Sequence, residues 1–166
     1  MNISVSSLKE KLIQEFDDWI ICYSQEEVDV LNLPKETKHM LSIFGLPSGA
    51  APEFQFEELI KPYSSDHYCI GEGREYKKIV ISKKNGEILQ VEGNRKMLIA
   101  DSLDSFLYIL ILFAEMVGKG IEENGKKAYL SNNIPAHIVL EFKNKLSLLS
   151  LDSKFWDDEI ARLLKV

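Results

Sequence analysis

The sequence predicts a single α+β domain over residues 1–166, because helical and strand patterns occupy separate parts of the chain. Three observations carry this prediction. An Asn85-Gly86 pair lies between two apolar segments, an arrangement typical of a β-hairpin. A very apolar helix is indicated after residue 102, and amphipathic helices are indicated toward both ends of the chain. The length is sufficient to bury a core without metal or disulfide.

The N-terminal part of the chain predicts a helix followed by an acidic connector. Residues 7–10, Ser-Leu-Lys-Glu, fit a capping box in which the serine begins the helix. The apolar stripe of this helix is formed by Leu8, Leu12, Ile13 and Phe16. Residues 19–23 either end the helix or begin a short strand, and their periodicity favours neither. Residues 25–31 are predicted to form the acidic connector.

A second helix and the strands follow. Pro34 suits the first turn of a helix, and Gly45 can end that helix in a left-handed conformation. An irregular loop is predicted around Pro47, Gly49 and Pro52. Strands are predicted at Phe54 and Phe56, over 68–71 and 78–82, on both sides of the Asn85-Gly86 turn, and over 97–100.

The apolar helix is predicted from residue 103 to about residue 117. Asp101 or Ser102 caps its beginning, and Gly118 ends it. It is apolar on nearly all sides, which predicts that it lies within the core. Its longest apolar run, residues 106–114, is far shorter than the roughly 20 residues that span a bilayer.

The C-terminal part of the chain predicts a loop and two more helices. Residues 119–133 are polar and rich in Gly, Lys and Asn, which predicts a mobile loop or a short irregular segment. The two helices are predicted over about 135–149 and 153–164. Asp152 is the expected cap of the second.

Negative charge is concentrated in the N-terminal part of the chain. Residues 1–66 hold 12 Asp and Glu against 5 Lys and Arg, whereas residues 67–166 hold 14 against 15. Phosphate backbones and anionic lipids are repelled by such a surface, so we expect neither nucleic acid nor membrane as a partner. A basic protein would be attracted to it. The alternative is an acidic surface without a dedicated partner, which is common in soluble proteins.

Cys22 and Cys69 each lie beside large apolar or aromatic residues. They predict two reduced, buried thiols in a cytoplasmic protein. A disulfide or a reactive thiol is the alternative. The first residues lack a basic start followed by an apolar stretch, so no secretory signal is expected.

Catalytic and metal-binding signatures do not accompany these fold signals. His39, His67 and His137 are far apart and the cysteines do not form a C-x-x-C pair, so neither metal nor cofactor is expected. Residues 71–73, Gly-Glu-Gly, precede no helix and are interpreted as a strand interruption rather than a phosphate loop. Adjacent carboxylates on a helix or strand point apart, so they are interpreted as solvated charges. We therefore predict no catalytic residues and no enzyme.

An ordered series of motifs is similar to one known family. The series consists of Leu33-Pro34, Phe44-Gly45-Leu46-Pro47, Ile70-Gly71, Asn85-Gly86, Asp101-Ser102-Leu103 with Phe106-Leu107, and Phe155-Trp156. In order and spacing it resembles the SUKH superfamily, and more narrowly its fourth subgroup, over about residues 28–166. The resemblance implies a central, mostly antiparallel sheet flanked by helices. It implies scaffold roles for Gly45, Pro47, Gly71, Gly86, Asp101, Ser102 and Trp156.

The resemblance also implies the role of an immunity protein in a bacterial polymorphic toxin system. Such proteins are made in the cytoplasm and bind the catalytic domain of a cognate toxin, which is often a basic nuclease. The implied mechanism is occlusion of the toxin's active site. Charge complementarity predicts the contact residues, which are Glu26, Glu27, Asp29, Glu53, Glu57, Glu58 and Asp66. Tyr63 or Tyr68 would serve as an exposed aromatic anchor among them.

Two other classes of function stay open at the level of sequence. One is a non-catalytic regulatory protein-interaction module, as in the eukaryotic cell-wall regulators of the same superfamily. A toxin encoded beside this chain would separate an immunity protein from such a module. The other class is an enzyme with an unrecognised site, which would show a pocket where several ionisable groups converge.

Overall fold

The computed structural model describes residues 3–166 and shows an α+β fold. Helices hold 48% of the chain and strands 23%, and six strands form a curled antiparallel sheet flanked by helices, so the predicted fold class is confirmed. The elements in chain order are α1 (Val5–Phe16), β1 (Ile20–Ile21), α2 (Gln25–Asp29), α3 (Lys35–Phe44), β2 (Leu46–Pro47), β3 (Gly49–Ala50), β4 (Phe54–Pro62), β5 (His67–Glu72), β6 (Lys78–Ser82), β7 (Ile88–Glu92), β8 (Arg95–Ala100), α4 (Leu103–Asn124), α5 (Ala136–Ser147) and α6 (Lys154–Leu164).

The six strands β3 to β8 lie side by side in chain order, each antiparallel to the next. Short connections between consecutive strands favour this meander. A separate pair is formed by β1 and β2, in which Ile20 lies opposite Pro47. The segment left open at 19–23 therefore contains a short strand, which follows a 3-10 turn at Asp17–Trp19. The predicted irregular loop likewise contains β2 and β3.

A bulge in β4 shapes one part of the sheet. Phe56 of β4 lies opposite Gly71 of β5, but the next pair joins Lys61 to Cys69, so residues 57–60 lie against Ile70 alone. A bulge of this kind bends a strand and redirects its side chains. A Cβ on Gly71 would overlap the Gln55 carbonyl oxygen. Gly71 therefore permits the close approach of β4 and does not interrupt β5, which ends one residue later.

The first helix begins earlier than predicted. Ser4, not Ser7, caps α1, because its side chain accepts a hydrogen bond from the Ser7 amide at 3.2 Å. Leu8 and Leu12 are buried one turn apart on the same face. Ile13 is 48% exposed, so its assignment to the apolar stripe is wrong. Successive residues are rotated by about 100° around a helix, which turns Ile13 away from the core.

The predicted acidic connector at 25–31 contains a helix, α2. Its start is a capping box formed by Ser24 and Glu27, in which each side chain bonds the other residue's amide. Val28 is buried in the core and attaches this short helix to it. The second predicted helix is confirmed as α3, with Pro34 at its N-cap and Gly45 at φ 67° after its last residue.

The apolar helix α4 lies in the core, as predicted, but it is longer. Ser102, rather than Asp101, caps it by accepting a hydrogen bond from the Ser105 amide. The helix passes through Gly118 and Gly120 and ends at Asn124. A Cβ on Gly120 would lie 2.9 Å from the Ile134 side chain, so the glycine lets the following segment pack closely. The prediction of a mobile loop or irregular segment is therefore wrong for 119–124, which are helical.

The last helix is attached to the sheet through its N-terminus. Ser153, not Asp152, caps α6, because its hydroxyl accepts a hydrogen bond from the Trp156 amide and also donates to the Leu98 carbonyl oxygen at 2.6 Å. The fully buried Trp156 donates its indole N–H to the Ile99 carbonyl oxygen at 2.9 Å. These hydrogen bonds join α6 to β8, in agreement with the scaffold role implied for Trp156.

Both cysteines are free, but only Cys69 is buried as predicted. Cys22 is exposed because it follows the end of β1, so the prediction of a buried thiol is wrong at that position. Over residues 3–166, no helix combines the length and the apolar character that crossing a membrane requires.

Candidate functional site

The helix α2 lies beside the bulge of β4, and together they carry most of the predicted contact residues. The link is Tyr23, a buried side chain whose hydroxyl donates a hydrogen bond to the Glu57 carbonyl oxygen at 2.7 Å. Burial raises the pKa of Tyr23, and the carboxylates of Glu27, Glu57 and Glu58 raise it further. Glu27 and Glu58 also line one groove together with Tyr23. We call the surface formed by Glu26, Glu27, Asp29, Glu57 and Glu58 the acidic surface.

Local contacts hold parts of the acidic surface in place. The Glu27 carboxylate oxygen Oε2 accepts a hydrogen bond from the Ser24 amide at 2.6 Å. Asp29 Oδ1 accepts one from the side-chain amide of Gln25 at 2.7 Å. Glu26 and Glu27 also lie in the first turn of α2, where negative charge is favourable to the helix dipole. The fold thus fixes the position of these carboxylates before any partner arrives.

The charges of the acidic surface are largely not neutralised by the chain. Glu57 has an ion pair with Lys61, whose ammonium lies 3.4 Å from its carboxylate. Within residues 3–166, neither Glu26 nor Glu58 has a cationic partner within 4.0 Å. Both side chains are exposed. An unneutralised carboxylate extends its field into the solvent and attracts cationic groups of other molecules.

An apolar groove crosses the acidic surface between α2 and β4. Its volume is about 160 Å³. We call it the α2–β4 groove, and it is lined by Tyr23, Glu27, Val28, Val30, Leu31, Glu58, Leu59 and Ile60. Val28 and Ile60 are buried, whereas Val30 is 82% and Leu59 is 62% exposed. The surface therefore presents aliphatic side chains between carboxylates.

A second, shallower cleft adjoins this groove and shares Glu27 and Glu58 with it. Trp19 lines that cleft and is 72% exposed. The sequence prediction did not select Trp19, Val30 or Leu59. A signal exists for Val30, because residues two positions apart on a helix face in nearly opposite directions and Val28 is the buried one. A signal exists for Leu59 as well, because it lies an odd number of positions from the buried Phe54 and Phe56 of the same strand.

The two predicted aromatic anchors differ in exposure. Tyr63 is 43% exposed, as an anchor must be, whereas Tyr68 is 8% exposed. The Tyr68 hydroxyl accepts a hydrogen bond from the Asn32 amide at 2.8 Å, which ties it to the segment after α2. The prediction of an exposed anchor at Tyr68 is therefore wrong, because the tyrosine is part of the fold.

Glu53 lies in a different environment from the acidic surface. Arg74 Nε is 3.1 Å from Glu53 Oε1, and Arg74 Nη1 is 2.6 Å from Glu159 Oε1. Arg162 Nη2 is 2.9 Å from the other oxygen of Glu159. We call these residues, Glu53, Arg74, Glu159 and Arg162, the Arg74 network. Burial lowers the pKa of Arg74, but Glu159 and Glu53 more than offset this, so its pKa is raised and its charge retained.

Asp66 lies in the turn between β4 and β5, beyond the other end of β4 from Glu53. Its carbonyl oxygen accepts a hydrogen bond from the Lys83 amide at 2.9 Å, and the Lys83 ammonium donates to the Ser64 carbonyl oxygen at 3.3 Å. A lysine therefore lies close to this turn. The structure places Glu27 and Glu58 at one groove. Glu26 and Asp29 lie on the same short helix as Glu27, and Glu57 precedes Glu58 in β4, whereas Glu53 and Asp66 lie beyond the two ends of that strand.

The Arg74 network borders a pocket of about 160 Å³ that also contains Lys77 and Asp158. Ionisable groups do converge there, which is the pattern expected of an unrecognised enzyme site. The carboxylate of Glu159, however, is shared between two arginines, and this arrangement favours the charged form of each group. Such ion pairs stabilise the fold. In the part of the chain that the structure describes, no group of three or more His, Cys, Asp and Glu is placed to hold a metal ion.

Comparison of this chain with family models, with curated proteins and with solved structures gives no match. The functional inference therefore depends on the geometry of the acidic surface and on the motif resemblance.

Proposed function

We propose that this protein is an immunity protein of the SUKH superfamily, which binds a cognate basic toxin domain and blocks its active site. The observation that carries the proposal is the acidic surface, where carboxylates on α2 and β4 surround exposed aliphatic side chains. The motif resemblance supplies the class of partner. The protein would act in the cytoplasm without a cofactor.

The apolar part of this surface suits a protein partner. Interfaces between proteins combine an apolar centre with a polar rim, and tryptophan is enriched among the residues that contribute most to binding. Trp19, Val30 and Leu59 are each more than half exposed on or beside the acidic surface. Burying one such aliphatic side chain contributes about 1.5–3 kcal/mol. A partner that covers them would gain affinity as well as specificity.

The charge of this surface suits a basic partner. Covering Glu26 and Glu58 with a neutral surface would remove their hydration without replacing it, at a considerable cost in free energy. Cationic side chains would replace that hydration and also accelerate encounter. A toxin that acts on nucleic acid carries such side chains, because it must neutralise phosphates. The same basic groove would then receive this protein in place of the nucleic acid.

Co-expression with the toxin domain encoded beside this chain tests the proposal. We expect growth of the host to be rescued and an equimolar complex to be purified, whereas a catalytically inactive toxin domain, which is harmless alone, serves as the control for expression. An active toxin domain that is neither neutralised nor bound would overturn the proposal. That result would leave a regulatory protein-interaction module as the better description.

A further inference from the structure

We propose that the α2–β4 groove receives one arginine side chain of the toxin domain, as the anchor at the centre of the interface. This inference rests on the proposed function. It concerns the kind of side chain that the groove is built to hold, which neither the motif resemblance nor the charge count specifies.

The size of the groove favours a side chain over a small molecule. Its volume of about 160 Å³ is well below the roughly 300–1,000 Å³ of sites that hold drug-sized ligands. Its floor is formed by Val28 and Ile60, both buried, and its edges by the exposed Val30 and Leu59. A long, unbranched aliphatic chain can lie along such a surface and keep a charged end in contact with water.

The two carboxylates of the groove come from different walls, Glu27 from α2 and Glu58 from β4. A guanidinium presents five N–H donors in a plane, so it can donate to more than one carboxylate, whereas an ammonium acts as a point charge. Glu27 Oε2 already accepts from the Ser24 amide at 2.6 Å, which orients this carboxylate and leaves Oε1 for a ligand. A carboxylate held in this way loses little conformational freedom on binding.

Arginine fits this environment better than the alternatives. An ammonium is more strongly hydrated than a guanidinium, so a lysine would lose more on entering an apolar groove. Arginine is also enriched and lysine depleted in the centres of interfaces. An aliphatic anchor would leave both carboxylates desolvated without a cation.

The chain's own cations leave the groove accessible. Lys61 pairs with Glu57, and Lys38 donates to the Asp29 carbonyl oxygen at 3.1 Å. Neither lysine lines the groove. A guanidinium from the partner would therefore meet carboxylates that the nearby lysines do not occupy.

The first test measures the affinity of the toxin domain for groove variants by titration calorimetry. The double variant Val30→Ala/Leu59→Ala and the single variant Glu58→Gln are each expected to weaken binding at least about tenfold, as loss of an interface anchor does. The matched controls are Leu148→Ala, an exposed leucine outside the groove, and Glu53→Gln, a carboxylate outside it. Both controls are expected to bind as the wild type does. All altered aliphatic side chains are exposed, so thermal unfolding should show intact folds.

The second test identifies the anchor on the toxin domain by modification of its arginines with phenylglyoxal, followed by mass spectrometry. We expect the wild-type protein to protect an arginine that the Val30→Ala/Leu59→Ala variant protects less at equal occupancy. Protection of no arginine, or loss of binding only after reductive methylation of lysines, would overturn the arginine anchor. Groove variants that bind as tightly as the wild type would overturn the groove while leaving the proposed function intact. Absence of binding by the wild type would overturn both.

Discussion

The Arg74 network and the acidic surface both contain glutamates at or near β4. Arginines neutralise the carboxylates of the first, whereas most carboxylates of the second have no cationic partner among the described residues. In the Arg74 network, Glu53 forms an ion pair with Arg74. The buried Glu159 forms ion pairs with both Arg74 and Arg162. On the acidic surface, Glu58 is exposed and, within the described residues, has no cation within ion-pairing distance. A carboxylate that the chain already neutralises cannot attract a partner. The number of acidic residues in a segment therefore overstates the charge that is available for binding.

The two regions differ in neutralisation because the arginines of the Arg74 network come from distant parts of the chain. Arg74 comes from the connection between β5 and β6, and Arg162 comes from α6. Both lie outside residues 1–66, which hold the excess of negative charge. The fold brings these arginines to Glu53 and Glu159 and leaves the α2 side of β4 without them. The distribution of free charge is thus a property of tertiary structure.

The largest effect is expected from reversing one charge of the acidic surface. Glu58→Lys should weaken binding to the toxin domain about 100-fold, because like charges would then face each other in the interface. Asp66→Lys makes the same change of charge outside the surface and serves as the control. Surface plasmon resonance measures both. Equal losses for the two variants would show that total charge, and not this surface, determines binding.

The next largest effect is expected in the Arg74 network, and it concerns folding. Glu159→Gln should lower the free energy of unfolding by about 2 kcal/mol, because Arg74 and Arg162 would lose their shared carboxylate. The two arginines are about a third exposed, so the loss is smaller than for a fully buried pair. Urea denaturation measures it, with Glu58→Gln as the matched variant, expected to change stability by less than about 0.5 kcal/mol. A greater loss of unfolding free energy for Glu58→Gln than for Glu159→Gln would show that the acidic surface, and not the Arg74 network, stabilises the fold.

Salt should separate the two regions further. Raising NaCl from about 0.05 M to about 0.5 M should weaken binding of the toxin domain about tenfold, because exposed charges are screened. Glu58→Gln should reduce this dependence on salt, and Glu53→Gln should leave it unchanged. Calorimetry at several salt concentrations gives the slopes. Identical slopes for the wild type and Glu58→Gln would exclude Glu58 from the charged contacts.

The smallest effect concerns Asp66, which lies outside both regions. Burial lowers the pKa of His67, Lys96 and Lys83 lower it further, and the Asp66 carboxylate and Glu87 partly oppose this. Asp66→Asn removes one of the opposing charges, so the pKa of His67 should fall further below its ordinary value, while affinity for the toxin domain should not change. An NMR titration of the imidazole measures the pKa. A rise in the pKa of His67 would show that the Asp66 carboxylate does not stabilise the charged imidazole.

Local patterns predicted a large part of this fold. The strand over 78–82 has the predicted bounds, and the Asn85-Gly86 pair lies in the connection between β6 and β7. The last paired residues of these strands are Ile81 and Ile88, so the predicted hairpin is present and its connection is longer than the Asn85-Gly86 pair alone. The helix α2 was not predicted, although Ser24 and Glu27 have the sequence spacing of a capping box.

The candidate site depended more on contacts between distant residues. Glu53 is neutralised by Arg74, and Tyr68 is buried through a hydrogen bond to Asn32, neither of which a local pattern indicates. Charge count named the five carboxylates of the acidic surface together with Glu53 and Asp66. It indicated neither that Arg74 pairs with Glu53 nor that aliphatic side chains lie beside Glu27 and Glu58.

Hydrogen–deuterium exchange of the complex tests most directly which of the two regions contacts the partner. The amides of the short, surface-exposed α2 and of residues 57–60 should exchange rapidly in the free protein, because few buried contacts protect them. We predict that the toxin domain slows exchange in both of these segments and leaves residues 73–77, around Arg74, unchanged. Slowed exchange at residues 73–77, with none in α2 or at residues 57–60, would contradict the assignment of the acidic surface as the binding site.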